Sequence, residues 1–193
     1  MLLSLRGISL ILMLSGFNDP ALAQATAKVT QQWKEKNLVP YHLYEKVLGP
    51  PGSGMARLKL PFPMIGAWDK NTQITSITVH RKALPYFEKA FSLLHQRGLT
   101  QEASLYGGSF SVRKMRGGDQ WTAHSWGVEI DIDPEHNRLS WGPDRFKMDR
   151  RVVEAFEEAG FYWRGHLGYD AMSFSLSHES LKEIARKDGI SIE

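Results

Sequence analysis

The stretch WTAHSWGVEIDID, residues 121–133, constrains the fold more than any other part of this chain. From Val128 onward apolar and acidic residues alternate strictly, and successive side chains of an extended strand point to opposite faces. Val128, Ile130 and Ile132 therefore share one face, and Glu129, Asp131 and Asp133 the other. The apolar face needs a core to cover it. The opposite face presents carboxylates toward a cleft, with His124 arriving from the turn that precedes the strand. A neutral imidazole and a carboxylate are suitable zinc ligands, and a catalytic zinc usually takes three protein ligands plus water. Taken alone, a His and an Asp at this spacing describe equally well a surface histidine beside a solvated acidic strand face.

The rest of the chain surrounds this strand with helix and strand signals. Ala83, Leu84, Phe87, Ala90, Phe91 and Leu94 fall at helical spacing and predict a helix over Arg81 to Arg97, stopped by Gly98, with Pro85 tolerated in its first turn. Asp149 is placed to cap a helix running through Ala159 to Gly160, and Ser177 to cap a last one reaching Lys187. Thr75 to His80 is β-branched and alternating. The segment LKLPFPMIGAW is interrupted by Pro61 and Pro63 and reads as an irregular or edge strand. Tyr106 to Arg113 leads into a loop, and Phe161 to Leu176 reads as hairpin-like strands with Gly165 and Gly168 between them. The order predicts an α+β fold, a small central antiparallel sheet flanked by helices.

The N-terminus reads as a signal peptide over residues 1–23: Arg6, the apolar run ISLILML, then Ala21-Leu22-Ala23 as a small-x-small cleavage pattern before Gln24. The apolar run is short of the roughly 20 residues a spanning helix needs. Export to the periplasm or the exterior is the expectation, with no stable membrane span after processing. Residues 24–57 read as an N-terminal arm and linker, with a short helix over Lys28 to Lys36 and a turn at LGPPGSG, and residues 58–190 as the catalytic domain. The chain has no cysteine, so neither disulfides nor a lipid-modified Cys is in use. Its formal net charge is +3, unchanged by removal of Arg6 and Asp19 with the signal peptide, and no long Lys/Arg block points to nucleic acid.

The wider pattern S/T-x-H-x-x-G-x-x-x-D stands here as Thr122, His124, Gly127 and Asp131. It resembles the signature of the D-alanyl-D-alanine carboxypeptidases and L-alanyl-D-glutamate endopeptidases, zinc peptidases of bacterial peptidoglycan. LKLPFPMIGAWD, the His80-Arg81-Lys82 helix opening, the F-x-x-R-K-M-R-G-G loop, HSWGVEIDID and F-x-W-x-G…Y-D-A-M-x-F extend the resemblance from about Leu58 to Leu176. It implies a hedgehog/D-Ala-D-Ala-peptidase-like fold, a Zn2+ cofactor, a peptidoglycan stem peptide as substrate, and action as a monomer.

Carried over residue by residue, the resemblance makes His124 and Asp131 the first two zinc ligands and Arg113 the arginine that holds substrate and stabilises the oxyanion, with Arg116 a weaker neighbour. Asp170 takes the acidic position of a D/E-x-x-H element and would move a proton between metal-bound water and the leaving amine. The pattern places histidine where this sequence has Ser173, and a hydroxyl is a poor zinc ligand. Glu129 stands where a small residue is usual, so it either intrudes on the site or supplies an oxygen in place of the missing imidazole. His166 is the best placed of the other histidines as a substitute ligand, ahead of His136 and His178. Trp126, Trp163 and Tyr169 suit core or cleft wall. Two functions follow as expectations: a zinc-dependent peptidase of the cell wall, or a catalytically silent relative that binds wall peptide or a partner protein.

Overall fold

A computed structural model describes residues 37–192. The signal peptide and the helix expected over Lys28 to Lys36 lie outside the described residues. Among them, a six-stranded sheet is flanked by four helices, as the α+β reading requires. The chain runs α1 (Tyr41–Leu48), β1 (Met55–Gly66), β2 (Asp69–His80), α2 (Leu84–Gln96), β3 (Leu105–Gly108), β4 (Glu129–Ile132), α3 (Arg150–Glu158), β5 (Phe161–Trp163), β6 (Ser173–Leu176) and α4 (His178–Lys187). The sheet order is β2-β1-β3-β4-β6-β5. Every pairing is antiparallel except β1 with β3, so the sheet is mixed rather than purely antiparallel.

The proline-bearing segment forms a continuous strand whose register against β2 shifts between Lys59 and Met64, where Pro61 and Pro63 fall. β3 meets β1 only at Ile65 and Gly66, so over the proline stretch β1 is paired on one flank. A missing proline N–H is harmless there. Leu58, Leu60, Phe62 and Met64 alternate inward and are buried against α2, which contributes Phe87, Ala90, Phe91 and Leu94. A 3-10 turn at Arg81–Ala83 precedes α2, and Pro85 occupies its first turn. α3 is capped by the Asp149 side chain on Arg151 N, and α4 by the Ser177 side chain on Ser180 N.

The core gathers on one face of β4 and β6. Val128, Ile130 and Ile132 are fully buried, and Ile130 pairs with Phe174. Phe174 stacks on Phe156 of α3 (ring centroids 4.3 Å), which also meets Phe91 and Phe161. Truncating a residue such as Ile130 to alanine there removes about 2–5 kcal/mol. α1 joins the same core through Leu43, Tyr44, Val47 and Leu48. Trp126 Nε1 donates to Gly49 O (2.9 Å) and Gly52 N to Ser125 O (2.8 Å), which fastens the turn after α1 to the turn before β4.

His80, at the end of β2, locks this junction. Its Nδ1 accepts from Lys82 N (3.2 Å), so the proton resides on Nε2, which faces Leu48 O at 3.2 Å. Burial disfavours the imidazolium, and Lys82 and Arg81 add repulsion against the helping Leu48 carbonyl, lowering the pKa to about 4. The unfolded chain therefore takes up a proton near pH 6.5 that the folded protein refuses until about pH 4. His80 contributes stability in full above pH 6.5, and this is lost as pH falls toward 4. Urea unfolding should show stability declining by about 1 kcal/mol per pH unit across that window, beyond the slope of His80→Gln measured in parallel.

Candidate metal and catalytic site

The site occupies the other face of β4 and β6. Antiparallel register sets Asp131 opposite Ser173 and Glu129 opposite Ser175, so two carboxylates of one strand face two hydroxyls of the next. His124 enters from a 3-10 turn at Ala123–Trp126 that begins after Thr122. Gly127 closes this turn at φ 60°, where a Cβ would stand 2.9 Å from His80 N. Only glycine lets the turn lie so close to the end of β2. Gly107 serves β3 in the same way, since a Cβ there would meet Asp131 Cβ at 2.7 Å.

His124 Nε2 lies 3.1 Å from Glu129 Oε1 and 3.4 Å from Asp131 Oδ2. The three residues offer ligand atoms that all lie within 4.8 Å of one another. His124 and Glu129 are buried and Asp131 nearly so. The Glu129 carboxylate is thus one of three groups that could hold a cation. Asp133 leaves the row of carboxylates: β4 ends at Ile132, and Asp133 turns at φ 47° to meet His136 Nδ1 (2.7 Å) and Asn137.

Ser173 Oγ reaches Asp131 Oδ1 at 2.6 Å and Asp170 Oδ1 at 3.0 Å. One hydroxyl carries one proton, so a second hydrogen bond between these groups needs a proton on a carboxyl. Of the two carboxyls Ser173 joins, Asp131 has its pKa lowered and Asp170 has it raised. Burial pushes its pKa up, and Glu129 and Asp131 push it further, against the pull of Arg164 and Ser173. Burial also works against ionised Asp131, but the His124 imidazolium, Ser173 and Arg113 together hold its pKa below the usual range. Asp170 adopts a left-handed backbone at φ 57°, a conformation that non-glycine residues take mostly at turns and functional sites.

Arg113 is exposed, and its loop is bound to the His124 turn: Ser125 Oγ donates to Arg113 O (2.9 Å) and Thr122 N donates to the same carbonyl (3.1 Å). Its charge lowers the pKa of both His124 and Asp131. Arg116 is exposed farther along the loop. His166 does not join the site. It bonds Glu157 Oε1 (2.5 Å) and packs on Trp163, drawn by the 3-10 turn Arg164–Leu167 toward α3. His136 pairs with Asp133, and His178 is buried at the start of α4. Trp126 and Trp163 are core residues, while Tyr169 is exposed beside Asp170.

Three residues of the site gave no sequence signal of their own. Arg164 Nε donates to Asp170 Oδ2 (2.7 Å), its NH1 lies 3.9 Å from Glu129 Oε2 and 3.3 Å from the Tyr41 hydroxyl, and Ser175 Oγ donates to Glu129 Oε2. No periodicity marks such residues; only the register of β6 on β4 and the docking of α1 bring them in.

The fold and this face together define an α+β protein whose sheet carries a His–Glu–Asp group with an adjoining buried aspartate. Residues 116–176 match the family model described as D-alanyl-D-alanine carboxypeptidase. That segment holds His124, Glu129, Asp131, Asp170 and Ser173, and the match supports the peptidase family resemblance of the motif. No curated protein and no solved structure matches the chain.

The donor set fits a divalent cation. One imidazole nitrogen and two carboxylates are ordinary donors to such an ion, and they lie within 4.8 Å of one another. A cation there would displace the His124 proton, since a ligating imidazole is neutral.

Burial opposes the His124 imidazolium, yet Glu129 and Asp131 outweigh it and raise the pKa to about 9. In metal-stripped protein, imidazole nitrogen shifts should report a protonated His124 at pH 7 that titrates near 9. Because this pKa is raised, the ion pairs stabilise the fold fully below pH 6.5 and are lost as pH rises through about 9. Glu129→Gln should bring the titration down by at least about one unit.

Proposed function

We propose that this protein is an exported, metal-dependent peptidase acting on peptidoglycan stem peptides, with His124, Asp131 and Glu129 as ligands of a zinc ion. The observation that supports it is the convergence of these three side chains beside Asp170, in the segment that matches the peptidase family. Bound zinc would supply Lewis acidity toward a carbonyl and lower the pKa of a water. The remaining chemistry belongs to the chain itself. Asp170, buried and biased toward its protonated form, is suited to accept a proton once a cation compensates its charge, and to deliver it to a leaving amine. Arg113, exposed at the rim, holds a substrate carboxylate or the developing oxyanion. Among the described residues no helix is long and apolar enough to cross a membrane, and the mature chain would act as a monomer beginning at Gln24.

One observation favours the second reading, a silent relative that binds wall peptide or a partner protein. His124, Glu129, Asp131, Ser173 and Asp170 already satisfy one another through direct ion pairs and hydrogen bonds. Such a closed network is stable without a metal.

Metal analysis and calorimetry of the purified protein beside Ser173→His, with both assayed on purified peptidoglycan, separate the two. The wild-type chain should hold stoichiometric zinc, release about one proton on binding it near pH 7 as His124 becomes neutral, and cleave peptide. Glu129→Ala should weaken zinc at least about tenfold, and Ser173→His should tighten it. If neither wild type nor Ser173→His binds zinc, the ligand assignment fails. If only Ser173→His binds and cleaves, the native chain is the silent form.

A further inference from the structure

We propose that Arg164 is the positioning residue of this site: it fixes Asp170 and Glu129 relative to each other and ties both to α1 through Tyr41. The inference rests on reading Asp170 and Glu129 as site residues and adds what holds them in place.

Arg164 follows β5 directly and opens the 3-10 turn Arg164–Leu167, so its backbone is anchored at the sheet edge next to β6. Its side chain is only 14% exposed, unusual for an arginine. Each part of the guanidinium has a distinct task. Nε donates to Asp170 Oδ2 at 2.7 Å, while Asp170 Oδ1 is taken by Ser173, so both oxygens of the proposed proton carrier are held. NH1 donates to the Tyr41 hydroxyl at 3.3 Å and lies 3.9 Å from Glu129 Oε2, the oxygen that also accepts from Ser175. That leaves Glu129 Oε1 facing His124. The Tyr169 ring sits 5.8 Å from the guanidinium carbon and covers a further side.

These contacts matter because Asp170 lies in a turn with a left-handed backbone, where nothing in a strand or helix ladder fixes its orientation. Glu129 has the longer side chain of the two acids on β4 and needs one oxygen held aside if the other is to point at His124. A single planar fork meets both needs. Lysine cannot, since one ammonium replaces separate donors set at fixed angles. Tyr41 makes α1 part of the site's support, so a helix outside the motif region bears on the placement of the carboxylates.

The test uses the full mature chain with arginine labelled by 15N. A buried Nε–H on a carboxylate gives a downfield, slowly exchanging resonance, assigned to Arg164 by its loss in Arg164→Lys. Asp170→Asn should shift it strongly and Tyr41→Phe measurably. In turnover on purified peptidoglycan, Arg164→Lys should lower kcat at least about tenfold with KM changed less than about twofold. Tyr41→Phe, which retains the ring, should give a smaller loss in kcat of the same kind, and both variants should keep bound zinc. A wild-type kcat in Arg164→Lys, or a raised KM with kcat unchanged, overturns the proposal. If the wild-type chain shows no turnover, the peptidase reading fails separately. The Nε–H resonance then decides: its response to Asp170→Asn upholds positioning by Arg164, and its indifference refutes it.

Discussion

The register of β6 on β4 is the constraint from which the site follows. Because side chains alternate with a period of two, pairing Ile130 with Phe174 on the core face obliges Glu129 and Asp131 to face Ser175 and Ser173 on the other. The core side is what fixes the choice. Phe174 stacks on Phe156, and Val128, Ile130 and Ile132 are wholly buried, so a slip by one residue would expose an apolar row and bury a polar one against α3. Hydrophobic packing thereby specifies a polar geometry that could not secure itself in water. The turn carrying His124 is then set against the same strand through Gly127 and the end of β2.

Burying so many ionisable groups is costly unless each is compensated. Here compensation is mutual and crosses several elements: His124 from a turn, Glu129 and Asp131 from β4, Asp170 from the loop before β6, and Arg164 from the end of β5. Removing one member leaves another unpaired in a desolvated setting. Such a network resists piecemeal change, and Glu129 belongs to it through both Arg164 and Ser175.

Much of this was legible in the sequence where the signal is local. Alternation placed Glu129 and Asp131 on one face and Val128, Ile130 and Ile132 on the other; Asp149 and Ser177 announced their helices as caps. The failures are non-local. Asp133 continues the alternation on paper, but its backbone turns after Ile132 and takes it to His136. His166 stands close to Asp170 in sequence, yet Glu157 on α3 holds it elsewhere. Tyr41 meets Arg164 across a separation of 123 residues, and no spacing rule reaches that far. The parallel pairing of β1 with β3 depends likewise on how α2 returns the chain, not on any pattern within the strands.

Ser173 acquires a specific meaning in this setting. Its hydroxyl bridges Asp131 and Asp170, and the groups that could hold a cation beside it are one nitrogen and two carboxylates. The Glu129 carboxylate is buried, and Arg164, 3.9 Å away, is a cation placed to offset its charge. A set richer in oxygen is less selective for zinc over harder divalent ions than one with two imidazoles. It would also take a cation in competition with protons, because Glu129 and Asp131 raise the His124 pKa to about 9. Ser173 thus joins Asp131 to Asp170, while Arg164 and Ser175 hold the far oxygen of Glu129, and the two arrangements together set the charge of this buried face.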